Sequence, residues 1–297
     1  VNSGTQLTFN NLTIASSATV TANTSYSVAG ALTVSSSATL NPSSGTVTLN
    51  NGASLSNSGT LSFQNLTIAS SATATGNTSY IVKGTLTNSS SATYTSNSGT
   101  VTLNDGAAIV GNGTQLTFNN LTIASGATAS ATGNYTVAGT LTNSAASTYT
   151  ASSGTATFTN GASIVTTSIS IAFYNLNIAS SATVTANATY NVSGALTVGS
   201  SGTLNPTSGT VTLNNGASLS NSGTLSFQNL SVNASATATG NTSYTVKGTL
   251  TNNTGATFTS NSGTVTMNNS SAIVNSGTQL TFNNLTIASS ATVTANT

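Results

Sequence analysis

Cysteine, histidine, glutamate and arginine are all missing from this 297-residue chain, and only 1% of it is charged. Each absence removes a class of function. Two lysines, Lys83 and Lys247, cannot supply the basic footprint that holds a nucleic-acid backbone. Acid/base catalysis needs positioned titratable groups, and Asp105, the single carboxylate, has no second one to pair with. Carboxylate-rich calcium loops are absent for the same reason. Without cysteine there are no disulfides and no statement about redox compartment. Thr or Ser interrupts every short apolar run, so none approaches the roughly 18 residues of a membrane-spanning helix. Expected, then, are no catalytic residues, no cofactor-binding residues, no metal ligands, no nucleic acid, no small-molecule substrate and no membrane span. Val1 begins inside a repeat with no basic stretch before it, so a signal peptide would lie outside the chain.

What is present is ordered in its pattern. Hydrophobic residues make up 36% of the chain and sit in strict alternation, whereas disorder goes with low hydrophobicity and high net charge. The stretch Leu7-Thr-Phe-Asn-Asn-Leu-Thr-Ile-Ala-Ser16 returns with small edits at Leu61, Leu116, Ile171, Leu225 and Leu280. So regular a step, about 55 residues each time, marks a repeat architecture. The units are 7–60, 61–115, 116–170, 171–224, 225–279 and a partial 280–297.

Within the first unit the alternation breaks into short runs. Leu7 and Phe9, Leu12 and Ile14, and Ala18 and Val20 flank Thr or Asn, and Tyr26/Val28, Leu32/Val34 and Ala38/Leu40 repeat the pattern. Val47/Leu49 and Ala53/Leu55 close the unit. Period-2 alternation is the mark of a half-buried strand, and the Asn, Ser and Gly clusters between runs mark turns. Thr and Val favour strands over helices. The expected fold is all-β: a parallel β-solenoid running through the whole chain, with about 18 residues per coil and three coils per unit. Such coils must stack, because the few side chains one coil buries do not offset the entropy of ordering it.

Aromatic residues keep time with the unit. Phe9, Phe63, Phe118, Phe173, Phe227 and Phe282 share one place, and Tyr26, Tyr80, Tyr135, Tyr190 and Tyr244 another. Members of one set stand three coils apart, too far to stack, and are read as interior or corner packing. A longer period overlies this one. Val1–Thr24 and Val274–Thr297 are identical letter for letter, five units apart. That identity marks a super-repeat of about 273 residues. On that reading the chain is one super-repeat plus an overlap, with about 15 coils spanning about 70 Å. Neither end carries a polar cap, so the expectation is a segment of a longer chain or head-to-tail stacking.

The remaining candidates are turn residues. Asp105 stands in Asn104-Asp105-Gly106 where the first unit has Asn50-Asn51-Gly52. Lys83 and Lys247 stand in Lys-Gly turns and read as solvated side chains, with an isopeptide or docking role as the alternative. Sequons such as Asn11-Leu-Thr, Asn23-Thr-Ser and Asn187-Ala-Thr arise readily in this composition and permit glycosylation without indicating it. Asn in register at turns is expected to form amide ladders between coils. Thr-x-Thr recurs at Thr19, Thr46, Thr85, Thr93 and Thr148 and resembles the Thr ranks of some ice-binding solenoids. With coils of the expected length these motifs fall on different sides.

The phrases Gly45-Thr-Val-Thr-Leu-Asn-Asn-Gly52, Gly84-Thr-Leu-Thr-Asn88 and Asn65-Leu-Thr-Ile-Ala-Ser-Ser-Ala72 resemble the β-strand repeats of filamentous-haemagglutinin-like adhesins and autotransporter passenger domains. That resemblance implies a right-handed parallel β-helix, secretion and attachment at a cell surface. The near absence of charge and the faithful super-repeat depart from those families and point to a structural fibre. The leading expectation is an extracellular, non-catalytic filament, biofilm-matrix-like, whose partner is itself, end to end or side by side. An adhesin stalk and an ice-binding solenoid are the alternatives. A string of small antiparallel sandwiches is set aside, because the rhythm is too short to close one of about seven strands.

Overall fold

Alternation every second residue lets one face of each short run be buried, and the Gly, Ser and Asn clusters turn the chain before a run can grow. A computed structural model describes residues 7–167, 170–268, 270–289 and 291–296. Val1–Gln6, Ser290 and Thr297 of the duplicated segment lie outside them. Among the described residues there is no helix, and the chain divides into two compact units, Val1–Gly154 and Thr155–Thr297.

In the first unit, Leu7–Phe9, Tyr26–Val28, Thr46–Leu49 and Asn65–Ile68 begin one sheet, whose described strands number eight. Leu12–Ile14, Ala31–Val34 and Ser54–Asn57 begin a second, and Thr19–Val20, Thr39–Leu40 and Thr60–Phe63 a third, each of seven described strands. The second unit has three sheets of seven described strands, beginning at Thr155–Phe158, Ser163–Thr166 and Ser170–Phe173. Consecutive strands take consecutive sheets, and each pairs in parallel with the strand one turn on, as Leu66 does with Val47 before it and Leu86 after it. Each unit is therefore a three-sided parallel β-solenoid. Inward residues such as Leu32, Leu49, Leu86 and Ile109 are fully buried, while Thr and Ser between them face outward.

The turn is longer than the expected coil. Partners one turn apart are separated by 19 positions at Leu7 and Tyr26 and by 23 at Leu86 and Ile109, and a turn takes roughly 21. The eight alternating runs counted in the first repeat are indeed its eight strands. The error lies in closing the third coil after two sides. Its third side is Thr60–Phe63, the first strand of the next repeat. Each sequence repeat thus makes two and two-thirds turns, not three, and the figure of 15 coils per super-repeat falls with it.

It follows that equivalent residues rotate by one face per repeat. Leu7–Phe9 lies in the first sheet, Thr60–Phe63 in the third and Gln115–Phe118 in the second. The two aromatic sets meet as well. Phe9 and Tyr26 stand one turn apart on one sheet, rings edge to face with centroids 5.7 Å apart. Phe63 with Tyr80 (5.5 Å), Phe118 with Tyr135 (6.2 Å), Phe173 with Tyr190 (5.7 Å) and Phe227 with Tyr244 (5.7 Å) repeat that contact. Such pairs add about 0.5–1.5 kcal/mol beyond the area they bury.

Buried tyrosine hydroxyls need partners. Tyr80 and Tyr94 reach across the core from two sheets and share a hydrogen bond of 2.7 Å, and Tyr149 donates to Tyr135 at 2.6 Å. In the second unit Phe258 stands fourteen positions after Tyr244, where a tyrosine would complete the pair, and the Tyr244 hydroxyl is buried without a partner. Gly240 leaves room beside Phe258 as Gly76 does beside Tyr94. Phe258→Tyr is expected to raise stability by about 0.5–1.5 kcal/mol. An unchanged or lower denaturation midpoint for this variant would show that the hydroxyl does not fit.

Candidate functional site

The outward side chains form ladders, because in-register turns place equivalent positions directly above one another. On the first sheet of the first unit, Thr8, Ser27, Thr48, Thr67 and Thr87 make one rank, broken at Val110. Thr46, Asn65 and Thr85 begin the neighbouring rank, which continues through Ala108 and Ser130 to Thr150. A second hydroxyl rank runs through Thr102, Thr122 and Thr142 on the third sheet. Spacings are about 4.8 Å between turns and about 6.6 Å along a strand. Of the five Thr-x-Thr motifs singled out in the sequence, those at Thr46, Thr85 and Thr148 share one sheet. Those at Thr19 and Thr93 lie on the other two. The longer turn brings three together where the shorter coil would separate them.

Asparagine does more than form amide ladders. Asn11, Asn65, Asn120, Asn175 and Asn229 each use Oδ1 to accept the backbone N–H of a residue one turn on, at 2.7–2.9 Å, from Ala31, Thr85, Thr140, Ala195 and Thr249. Next to each acceptor site sits a glycine (Gly30, Gly84, Gly139, Gly194, Gly248), because a Cβ there would collide with the asparagine oxygen. In the first unit this corner occurs at Asn11, Asn65 and Asn120, and the one-face rotation puts it at the start of a strand in each sheet in turn. Amide-to-amide contacts are fewer: Asn97 to Asn77, Asn261 to Asn241 and Asn252 to Asn275 (all 2.9 Å) and Asn233 to Asn214 (3.3 Å). Sequon residues Asn65, Asn120 and Asn229 use both amide atoms within this corner, Nδ2 donating to Gly45, Gly99 and Gly209 carbonyls. Asn23 and Asn187 are exposed and accept from Ser43 and Thr207 backbone N–H at 2.8 Å.

The two lysines are not free solvated side chains. Lys83 Nζ donates to Asn41 Oδ1 and to the Pro42 carbonyl, at 2.9 Å to the latter, two turns back along the solenoid. Lys247 repeats this with Asn205 and the Pro206 carbonyl, at 2.8 Å to the latter. Asn41 and Asn205 also accept Ser62 and Ser226 hydroxyls, so each lysine closes a staple over three turns. Asp105 is a turn residue as expected: its Oδ1 accepts Thr128 N–H at 2.9 Å, as Asn51 and Asn215 accept Thr73 and Thr237 at 3.0 Å. Nothing in these contacts brings Asp105 and a lysine together.

Two shallow open grooves, of about 180 and 210 Å³, recur at equivalent places, between Asn57, Thr60, Ser79 and Thr100 and between Asn221, Thr224, Ser243 and Thr264. Both are lined by uncharged residues, with Leu61, Tyr80 and Ile81 in the first and Leu225 and Tyr244 in the second beside the hydroxyl and amide groups. Comparison with protein-family models, with curated proteins and with solved structures found no match to this chain. Among the described residues no helix is long and apolar enough to cross a membrane.

Burial pushes the Tyr26 hydroxyl up to about 12, and burial likewise raises Tyr80, Tyr94, Tyr135, Tyr149, Tyr190 and Tyr244 well above the ordinary tyrosine value. The sign is that of an acid whose folded value lies above its unfolded one: its contribution is complete below about pH 10 and is lost as pH climbs through the folded value. Circular dichroism should stay constant from about pH 4 to about pH 9 and collapse above about pH 11, together with phenolate absorbance. Loss of strand signal between pH 4 and pH 9 would contradict this.

Proposed function

We propose that the chain is a structural subunit of an extracellular filament, built by axial continuation of the solenoid and carrying no catalysis. The observation that supports this most is the in-register parallel ladder itself. In each unit successive turns pair strand to strand in parallel, and each repeat begins one face further round than the one before. The nearly uncharged surface supports it too, since copies then pack end to end or side by side with little Coulombic cost. In this reading the winding is continuous along the chain, and the lysine staples and asparagine corners are fittings of a mechanical rod. Fibre diffraction or electron microscopy of the assembled material should give a meridional spacing of about 4.8 Å along the filament axis. A filament with that spacing running across the axis would mean that turns do not stack along it.

A second reading, ice binding, is favoured by one specific feature, the in-register Thr and Ser ranks with regular spacing in two directions. Against it, Asn65, Ala108 and Val110 interrupt those ranks. Thermal hysteresis measured on the chain decides between the two: none is expected, and a measurable gap between freezing and melting points would transfer the proposal to the Thr-bearing sheet. An adhesin stalk would require a non-repetitive domain in the same polypeptide.

A further inference from the structure

Four Asn-Gly steps occur in the chain, Asn51-Gly52, Asn112-Gly113, Asn160-Gly161 and Asn215-Gly216. Asn-Gly is the dipeptide in which a backbone nitrogen attacks the preceding side-chain amide most readily, because glycine offers no Cβ to obstruct it. All four asparagines are exposed, so access to water does not distinguish them. Their hydrogen bonds do.

In three of the four steps both reacting groups are held by one residue of the next turn. Gly52 N–H donates to the Thr73 carbonyl at 2.8 Å while Asn51 Oδ1 accepts Thr73 N–H at 3.0 Å. Gly161 and Asn160 make the same pair with Thr183, both at 3.1 Å, and Gly216 and Asn215 with Thr237, at 2.8 and 3.0 Å. The bond to Oδ1 alone would polarise the amide toward attack. Protection comes from the other bond, which engages the attacking nitrogen, and from the two together, which keep the side chain reaching to the next turn.

Asn112-Gly113 has neither bond. In other repeats the equivalent glycines Gly59, Gly223 and Gly277 donate their N–H to the asparagine two positions earlier, at 2.8–3.2 Å, from Asn57, Asn221 and Asn275. In this repeat Gly111 replaces that asparagine, and Asn112 replaces the serine of Ser58, Ser222 and Ser276. The two changes together remove the cap from Gly113 N–H and place a reactive amide beside it. A Cβ at Gly111 would run into the Asn134 carbonyl, so the chain there has no room for the capping side chain.

We propose that Asn112 is a self-modification site of the folded chain, converting through a succinimide to aspartate or isoaspartate, while the other three Asn-Gly steps are held unreactive by the fold. Gly113 N gives up its proton and bonds to Asn112 Cγ, and the Cγ–Nδ2 bond breaks, the nitrogen leaving as ammonia with that proton. Water then opens the ring at either carbonyl. The product carries a second carboxylate and cancels the formal net charge of +1, in a chain whose surface otherwise has almost no charge to repel a neighbour.

The test is peptide mapping by mass spectrometry after incubation of the native chain and of the same chain in denaturant, at one mildly alkaline pH. In the native chain Asn112 should convert roughly tenfold to a hundredfold faster than Asn51, Asn160 or Asn215, the factor that two hydrogen bonds needing to open together imply. In denaturant all four should convert at similar rates. Asn112→Ser, which installs the residue of the other repeats, should abolish fast conversion in the native chain and leave the three clamped steps unchanged. Equal rates at all four sites in the native chain, or an Asn112 no faster than the rest, would overturn the proposal.

Discussion

Hydrogen bonding between one turn and the next is the interaction on which everything else in this protein rests. A strand of two to six residues has no stability of its own, and its backbone groups must find partners or stay desolvated at a cost. Here they find them in the turns before and after, in parallel and in register. Register then carries consequences outward and inward. Equivalent side chains stand above one another, so that alternation becomes a continuous apolar core on one side of each sheet and continuous polar ranks on the other. The parallel ladder needs no charge, no disulfide and no metal to hold it, which is why their scarcity or absence in the chain is no obstacle to folding.

A mismatch between two counts, eight strands per sequence repeat and three per turn, shapes the surface. Because eight is not divisible by three, each repeat starts one face further round. In the first unit this distributes one asparagine-glycine corner to each sheet instead of lining all of them along one edge. Within a repeat, three strands per turn put the Phe-bearing first strand beside the Tyr-bearing fourth, so the two rings meet edge to face. A chain with nine strands per repeat would concentrate every feature on a single face.

The supply of hydrogen-bond partners explains the small differences between repeats. Asn143 has its Oδ1 met by the Ser147 hydroxyl at 2.7 Å, whereas Asn88 and Asn252, with Ala92 and Ala256 at the equivalent places, bury that oxygen without a partner. Tyr26 and Tyr190, with Leu40 and Leu204 across the core, likewise bury lone hydroxyls. The ladder is strong enough to tolerate such orphans one at a time. Gly111 and Asn112 are another place where one repeat departs from the others.

Period-2 alternation with Thr outside and Leu, Val and Ile inside was enough, in the sequence, to determine all-β structure, strand positions and the solenoid, because those depend on neighbours two residues apart. All eight runs of the first repeat are strands. Turn length was not legible there, since a coil that closes after two runs and one that borrows a third from the next repeat contain the same letters in the same order. Only the paired register of Leu40 with Leu61 decides between them. The lysine staples were hidden for a related reason: Lys83 and Asn41 lie 42 residues apart, and nothing local tells a side chain how many turns back it will reach. Local pattern specifies which faces are apolar; the closing of each turn, a contact over roughly 21 residues, specifies which polar groups meet.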